Sequence, residues 1–240
     1  MHVFQRNSDS KATYLLLYVD DMILISKDRS NIDSLKTLLR SEFEMKDLGK
    51  TTRILGITIS RDREKGKMNL GQKDYIQKIL DKFSMNNAKI TTLPITSQHQ
   101  LSKEQCPKTQ EEADYMNRVP YSNAVGSLMY LMVCTRPDLS YAMSLLSKYM
   151  SNPGKPHWEA MKWTLRYLLG TMDTGLTYKK QNYTLRLEWY NDANYAGDRD
   201  QRRSTSAYYF LIGGNCISWR VQLQPVVALS TTESKYIAVT

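Results

Sequence analysis

Residues 14–26 are Tyr-Leu-Leu-Leu-Tyr-Val-Asp-Asp-Met-Ile-Leu-Ile-Ser, two apolar runs that flank a pair of adjacent aspartates. Such runs are typical of strands buried on one or both faces, so the stretch predicts a β-hairpin with Asp20 and Asp21 at its tip. Two neighbouring carboxylates beside apolar strands repel each other and lose hydration, a cost that a bound divalent cation would offset. A plain Asp-Asp turn is the alternative, because Asp is a favoured turn residue.

The composition is that of a globular protein with a basic surplus. The chain has 240 residues, is 41% hydrophobic and 24% charged, and carries a net charge of +9. These values argue against wholesale disorder and allow one large domain or two modest ones. A positive charge of this size suits a polyanionic partner, although a solvated basic face is the commoner explanation. A non-catalytic nucleic-acid-binding protein is therefore one hypothesis for this chain.

Cysteine usage and hydrophobic segments bear on the cellular environment. Cys106, Cys134 and Cys216 are odd in number and far apart, which fits neither a disulfide framework nor a zinc ligand set. No apolar run approaches the roughly 18–20 residues of a membrane span, and the first residues show no signal-peptide pattern. We therefore expect an intracellular protein, cytoplasmic or nuclear, with no membrane partner. The sequence leaves its oligomeric state open.

The residues after the hairpin predict a helix and then a strand pair. Apolar positions within 32–43 recur at helical spacing, with a cap at Ser30 or Asn31 and a stop at Gly49. This pattern predicts a helix that lies in the core. A strand pair and a second amphipathic helix are expected over residues 53–83.

The middle of the chain changes from polar to helical character. Residues 86–120 are polar and contain three prolines, which predicts a long connector or a loosely packed segment. Helical periods resume over residues 121–174, where the methionines are expected to fill the core. Lysines and arginines recur on these helices. A solvated face explains them by default, and a face that contacts phosphates is the alternative.

Strand periods dominate from Gly175 onward. Residues 184–192 alternate between apolar and polar side chains and end in an acid, Asp192. Residues 205–221 predict two further strands joined by a glycine turn. Residues 230–233, Ser-Thr-Thr-Glu, form a capping-box pattern that predicts the start of a helix.

Several short motifs follow one another along nearly the whole chain. In order, they include Tyr18-Val19-Asp20-Asp21, Lys46-Asp47-Leu48-Gly49, Leu55-Gly56-Ile57, Gly126-Ser127-Leu128-Met129-Tyr130, Thr135-Arg136-Pro137-Asp138, Asp192-Ala193-Asn194-Tyr195-Ala196-Gly197-Asp198 and Ser230-Thr231-Thr232-Glu233. This series resembles the Pol polyprotein of copia-type LTR retrotransposons. The agreement in order makes coincidence a poor explanation.

The resemblance implies an α/β (α+β) fold, in which a reverse transcriptase palm remnant with a helical thumb and connection precedes an incomplete RNase H-like mixed sheet. It implies the end of the palm, with the catalytic hairpin and primer grip, at residues 1–85. A polar connector would occupy 86–120, and the helical thumb and connection region 121–174. The N-terminal part of the RNase H-like domain would occupy 175–240.

For polymerase chemistry, the resemblance implies that Asp20 and Asp21 bind magnesium. In this family a primer 3′-hydroxyl attacks the α-phosphate of a nucleotide, and two magnesium ions activate the hydroxyl and neutralise charge in the transition state. Tyr18 and Val19 would lie near the primer end. The expected partner is an RNA or DNA template-primer.

The primer grip and the RNase H site are implied in the same way. Leu55, Gly56 and Ile57 match the segment that grips the primer, although a strand glycine can also mark a bulge. Asp192 and Glu233 match two magnesium-binding acids that hydrolyse the RNA strand of an RNA–DNA hybrid. Helix capping alone would also explain Glu233.

The sequence departs from the family pattern in several places. Another palm aspartate is required, but Asp9 is the only acid before Asp20, and the RNase H acids that should follow Glu233 are not in the sequence. Asn194 and Lys235 stand where acids are usual. We therefore expect a Pol fragment that is inactive alone, with an incomplete gene model as the alternative. Two further acids, Asp198 and Asp200, are expected to be turn and surface residues.

Overall fold

A computed structural model describes residues 2–8, 11–181 and 184–240. Helices and strands are both abundant in these ranges, consistent with the expected α+β class. The chain divides into two compact units, residues 1–55 and 56–240. The functional domains that the resemblance implies, with their boundaries, stay a prediction. No helix in the described ranges is both long enough and apolar enough to cross a membrane.

The first unit contains a three-stranded antiparallel sheet and one long helix. Its elements are β1 (His2–Ser8), β2 (Lys11–Tyr18), β3 (Asp21–Ser26), α1 (Arg29–Glu42) and a two-residue strand, β4 (Arg53–Ile54). The sheet order is β1-β2-β3, with Tyr18 opposite Asp21 at the turn. The hairpin predicted from the sequence is therefore confirmed. Its strands are only half-buried, so the expectation of a buried face is wrong.

Helix α1 differs from its prediction in both its ends and its burial. Its N-cap is Asp28, whose carboxylate accepts a hydrogen bond from the Ser30 N–H at 3.0 Å. The helix ends at Glu42, because Phe43 is already extended, and so it stops well before Gly49. No residue of α1 is buried, and Phe43 is 62% exposed. The core-helix prediction is wrong, since a sheet of three short strands offers little surface to cover a helix.

The second unit begins with another antiparallel sheet. It contains β5 (Ile57–Asp62), β6 (Lys67–Gly71) and β7 (Leu176–Lys179), which are neighbours in that order. The β5–β6 pair confirms the strand pair predicted in this region. Strand β7 lies in the part assigned to the RNase H-like domain, yet it pairs with β6, with Tyr178 opposite Met68.

Within the described residues, the second unit contains five α-helices before its last sheet, and all of them except α3 contribute residues to the main hydrophobic core. They are α2 (Lys73–Lys82), α3 (Gln110–Asn117), α4 (Tyr121–Cys134), α5 (Ser140–Leu146) and α6 (Lys155–Gly170). Leu128, Leu131, Leu146, Leu165 and Leu168 are completely buried in this core. The helical period predicted for residues 121–174 is confirmed, and Met143 and Met161 fill the core as expected.

The polar segment 86–120 packs against these helices. Ile95 and Leu101 are buried in the same core cluster. The Trp163 indole N–H in α6 donates to the Leu93 carbonyl at 3.0 Å. Helix α6 thus supplies side-chain donors for the Leu93 and Pro94 carbonyls, which lie in no helix or strand and have no ladder partner. The expectation of a loosely packed segment is therefore wrong, and the alternative, a long connector, stays a prediction.

A third sheet and a final helix complete the unit. Strands β8 (Leu187–Asn194), β9 (Thr205–Ile212) and β10 (Asn215–Leu223) form an antiparallel sheet, and helix α7 (Thr231–Val239) packs on β8 and β9. Gly213 and Gly214 have φ of 55° and 74°, as a two-residue hairpin turn requires. The predicted mixed sheet is wrong for the described strands, because β9 pairs antiparallel with both β8 and β10, and neither connection has the length or the helix of a parallel crossover.

Candidate functional site

The aspartate pair lies at the tip of the β2–β3 hairpin. Strand β2 ends at Tyr18 and β3 begins at Asp21, so Val19 and Asp20 form the turn. Both carboxylates are exposed. Val19 has a φ of 50°, a left-handed conformation that β-branched residues rarely adopt. Strain of this kind often accompanies functional sites, where the surrounding fold holds a side chain in a required position.

The donor set on this turn suits a magnesium ion in part. Carboxylate oxygens are preferred magnesium ligands, and magnesium is commonly held by one or two carboxylates together with substrate phosphates. Asp20 and Asp21 supply two such groups on consecutive residues. In the described ranges no cluster of three His, Cys, Asp or Glu side chains could hold a metal ion. Asp9, the one acid that precedes the hairpin, lies outside the described residues.

The residues expected near a primer occupy two separate turns. Tyr18 and Val19 flank the carboxylates and are 44% and 78% exposed. Leu55 and Gly56 have φ of 49° and 70° and form a turn that leads into Ile57. Gly56 is therefore a turn glycine, not the marker of a bulge within a strand. The primer-binding role of both segments stays a prediction.

Asp192 and Glu233 lie on neighbouring elements of the second unit. Asp192 is exposed in β8, and its carboxylate accepts a hydrogen bond from the Ala193 N–H at 2.8 Å. Glu233 lies in the first turn of α7, which packs on β8. Its carboxylate accepts from the Leu229 N–H at 2.6 Å, while its own N–H donates to the Ser230 hydroxyl. The predicted helix start and its Ser230 cap are confirmed, whereas the Glu233 side chain reaches back to Leu229, one residue before the N-cap, and so does not complete the reciprocal capping box. The joint metal-binding role stays a prediction.

The β8–β9 loop docks on the helices, contrary to expectation. Asp198 is 3% exposed and accepts a hydrogen bond from the Lys148 ammonium at 2.9 Å. The Asp200 carboxylate accepts from the Tyr149 hydroxyl at 3.0 Å and from the Lys103 N–H at 2.8 Å. Asp198 is therefore not a surface residue, and both acids attach the loop to the helical core. Sequence reasoning missed this role because the partners lie far away along the chain.

A buried arginine explains one of the motifs. Arg136 is completely buried, and its guanidinium donates two hydrogen bonds to the Asp138 carboxylate at 2.7 and 2.9 Å. It also donates to the Thr171 carbonyl and hydroxyl, and the Tyr167 hydroxyl donates to Asp138. The Thr-Arg-Pro-Asp motif thus joins the end of α4 to the end of α6. Its described contacts are structural.

The structure also places Asn194 and Lys235, the two residues that stand where the family usually has acids. Asn194 donates its amide to the Tyr141 hydroxyl of α5 at 3.1 Å, so it helps to hold the end of β8 against that helix. Lys235 is exposed on α7. In the described ranges, neither Asn194 nor Lys235 stands beside a cluster of three or more acids.

Comparison with known proteins identifies the family. Residues 1–97 match the family model described as "Reverse transcriptase (RNA-dependent DNA polymerase)". The chain is 49% identical, over 99% of its length, to the Retrovirus-related Pol polyprotein from transposon TNT 1-94 of Nicotiana tabacum. It is 37% identical, over 94% of its length, to the Pol polyprotein from transposon RE2 of Arabidopsis thaliana.

The relatives differ widely in length. This chain spans 18% of the TNT 1-94 polyprotein and 15% of the RE2 polyprotein. By contrast, it covers 89% of an uncharacterized mitochondrial protein of Arabidopsis thaliana, with 36% identity over 94% of the chain. No solved structure matches the chain significantly. The chain belongs to the reverse transcriptase family of copia-type transposon Pol polyproteins and corresponds to a fragment of those longer proteins.

Proposed function

We propose that the chain carries part of the polymerase centre and part of the RNase H centre of a Pol polyprotein. The observation that carries the proposal is the exposed Asp20–Asp21 pair on a hairpin turn, in a chain with 49% identity to such a polyprotein. The proposed partners are an RNA or DNA template-primer and an RNA–DNA hybrid. An intracellular location, in the cytoplasm or the nucleus, is part of the same proposal and is supported by composition alone.

At the polymerase centre, Asp20 and Asp21 would hold magnesium. Bound magnesium activates the primer hydroxyl and neutralises charge on the reacting phosphates. The turn at Val19 places Asp20 and Asp21 at the end of two paired strands, where both carboxylates face solvent and are open to a cation. Tyr18 and Val19 provide exposed apolar surface beside them for the primer end. Leu55, Gly56 and Ile57 would form a primer grip.

At the RNase H centre, Asp192 and Glu233 would hold magnesium for hydrolysis of the RNA strand. The capping contact of Glu233 competes with this role, because its carboxylate already accepts from the Leu229 N–H. To bind a cation, one of the two oxygens of the Glu233 carboxylate would have to turn toward β8. Packing of α7 on β8 supports the pairing of the two acids.

We propose further that this chain does not polymerise by itself. Two-metal phosphoryl transfer needs ligands that clamp both ions, and the part of the chain that the structure describes gathers no more than two candidate acids at the hairpin. The activity therefore belongs to a longer protein that supplies the remaining ligands. The coverage of less than a fifth of the TNT 1-94 polyprotein supports this view.

Primer extension tests both parts of the proposal. The purified chain, given a primed RNA template with magnesium or manganese, is expected to extend nothing. In a complete Pol polyprotein that contains this segment, Asp20→Asn is expected to reduce extension roughly 100-fold or more, because several kcal/mol of charge stabilisation is lost. Asp33→Asn, which removes an exposed carboxylate from α1, is the matched control and should leave extension unchanged.

Extension by the isolated chain that disappears with Asp20→Asn would disprove the proposed inactivity. Equal activity of the Asp20→Asn and Asp33→Asn polyproteins would disprove the catalytic role of the hairpin. The second candidate function is non-catalytic nucleic-acid binding, which the net charge of +9 favours. It predicts binding that weakens steeply with salt and needs no magnesium.

A further inference from the structure

A shallow cleft of about 390 Å³ lies at one end of the β5–β6–β7 sheet. It is formed within the second unit by the ends of β5 and β7, the start of β6 and the turn between β5 and β6. Its lining residues are Arg61, Asp62, Arg63, Gly66, Lys67, Met68, Tyr178, Lys179 and Lys180. Neither the predicted polymerase acids nor the predicted RNase H acids belong to it.

The charges around this cleft are unbalanced. Five lining residues are cationic and one, Asp62, is acidic. Asp62 accepts hydrogen bonds within its own turn and lies 3.5 Å from the Lys65 ammonium. Lys67 lies directly opposite Lys179 in the strand register. Like charges in directly opposite positions destabilise a sheet, and Asp62, which lies opposite Lys67 on its other side, offsets only part of this repulsion. An anion bound beside Lys179 would relieve what remains.

Backbone contacts hold the cationic residues in place. The Lys180 N–H donates to the Gly66 carbonyl at 2.7 Å. Gly66 has a φ of +56°, and a Cβ there would lie 2.9 Å from the Lys180 Cβ, so only glycine allows this approach. The Asn215 amide accepts from the Lys179 N–H at 2.7 Å and donates to its carbonyl at 3.1 Å. The two lysines therefore start from fixed backbone positions.

The cleft also offers an aromatic ring among its cations. Tyr178 lies opposite Met68 in the register, and both residues line the cleft. Basic side chains grouped with an aromatic ring are typical of surfaces that follow a nucleic-acid backbone. Ile57, the nearest predicted primer-grip residue, lies at the other end of β5, four residues and about 13 Å from Arg61 at ~3.3 Å per residue. The cleft is thus separate from the expected primer grip.

We propose that this cleft binds the phosphates of a nucleic-acid backbone without regard to sequence. Lysine and arginine contacts to phosphates position a duplex but carry no base information. A row of cationic side chains, which start from defined backbone positions on neighbouring strands, suits a polymer with regularly spaced charges better than it suits a single small anion. The choice of an RNA–DNA hybrid as the ligand rests on the proposed function, whereas the phosphate chemistry rests on the cleft.

The test compares two triple variants of the 240-residue chain. The cleft variant carries Lys67→Gln, Lys179→Gln and Lys180→Gln. The control variant removes three exposed lysines outside the cleft and away from both proposed centres, through Lys78→Gln, Lys89→Gln and Lys108→Gln. Both lose the same net charge. Binding of a fluorescent 20-base-pair RNA–DNA hybrid is measured by anisotropy from 50 to 300 mM salt, without magnesium.

The cleft variant is expected to bind at least 10-fold more weakly than the wild type at 100 mM salt. Its slope of log affinity against log salt should be shallower by about two to three, since each lost phosphate contact removes about 0.9 from the slope. The control variant should keep most of the wild-type affinity and most of the wild-type salt slope. Equal losses in the two variants would overturn the proposal, because net charge alone would then explain binding.

A second measurement locates the ligand and guards against a folding defect. Amine acetylation of the wild-type chain, followed by mass spectrometry, should show Lys67, Lys179 and Lys180 protected by the hybrid. Unchanged acetylation of these lysines would overturn the proposal even if the cleft variant failed to fold. Equal protection by inorganic phosphate would show a small-anion site, and equal protection by polyglutamate would show a general polyanion site. Either result would also overturn it.

This experiment is independent of the catalytic proposal. It uses no magnesium and reads no activity, so an inactive hairpin leaves its outcome unchanged. Protection of the cleft lysines by the hybrid, combined with an Asp20→Asn polyprotein of full activity, would support the cleft and reject the polymerase role. Unprotected cleft lysines, combined with an Asp20→Asn polyprotein that has lost activity, would reject the cleft and support the polymerase role.

Discussion

The first unit and the helical core of the second unit use similar apolar patterns with different results. Helix α1 carries apolar residues at helical spacing, yet none of its residues is buried. Helix α4 has five buried residues and contacts three other helical segments. In the first unit, Thr13 is the one described residue that is buried. A hydrophobic period therefore predicts the presence of a helix, while its burial depends on how many elements surround it.

The two regions also differ in whether they carry the candidate polymerase acids. The segment with the candidate polymerase acids is the part with little buried apolar surface, and the helices that carry no candidate acids hold the core. Hydrophobic burial is the main favourable term in folding. The first unit is thus expected to be the less stable of the two, and matched substitutions in both units can test that expectation.

The largest difference is expected for arginine substitutions. Arg136→Ala removes a buried guanidinium that binds Asp138 and Thr171, and it should cost about 3–5 kcal/mol of unfolding free energy. Arg29→Ala breaks the exposed pair with Asp33, where the side chains are 91% and 59% exposed, and should cost less than about 0.5 kcal/mol. Urea denaturation followed by circular dichroism measures both. Equal costs would contradict the contrast between the units.

Leucine substitutions come next in size. Leu131→Ala in α4 removes a completely buried side chain and should cost about 2–5 kcal/mol, because lost burial and a cavity both contribute. Leu38→Ala in α1, where the side chain is 53% exposed, should change stability by no more than about 0.5 kcal/mol. Thermal melts of the two variants beside the wild type provide the measurement. A cost above 2 kcal/mol for Leu38→Ala would show that α1 is covered in solution.

The smallest effect is expected from a single histidine in the second unit. Burial lowers the pKa of His157 from its ordinary value of about 6.5, although the Ser102 carbonyl and Asp200 oppose this effect. The ring stacks on Tyr149 and accepts a hydrogen bond from the Gly154 N–H. The unfolded chain therefore binds the proton at a higher pH than the folded chain does. The stability that depends on the neutral ring is complete above about pH 6.5 and falls as the pH decreases.

The expected slope is at most about 1.4 kcal/mol per pH unit below pH 6.5. Unfolding free energies measured by urea titration between pH 5 and 7.5 give this slope for the wild type. His157→Gln keeps a polar side chain that does not titrate, and it should flatten the profile. Parallel profiles for the wild type and the variant would mean that another group titrates there.

Local chemistry made part of the fold predictable. The hairpin at residues 14–26, the cap at Ser230 and the glycine turn at Gly213 all depend on residues that are close in sequence. Each of them has a short-range hydrogen-bond or backbone requirement that particular residue types satisfy. These three features are confirmed by the structure.

Features that depend on distant partners were predicted poorly. Residues 86–120 have the composition of a linker, yet their carbonyls bind donors on α6. Asp198 and Asp200 have the composition of a surface turn, yet Lys148 and Tyr149 bind them from about 50 residues away along the chain. No local pattern contains such partners. The candidate acids were found by motif, and their joint geometry depends on the same long-range information.

The attachment of the β8–β9 loop has a consequence for length variation. Surface loops usually accept insertions and deletions, because nothing fixes the path between their ends. Here the acids at 198 and 200 are tied to separate points on the helices, so the number of residues between each tie and its strand is set. We expect indels between 195 and 203 to be tolerated far less well than in a surface loop that lacks such ties, even where every substituted side chain in the loop is accepted.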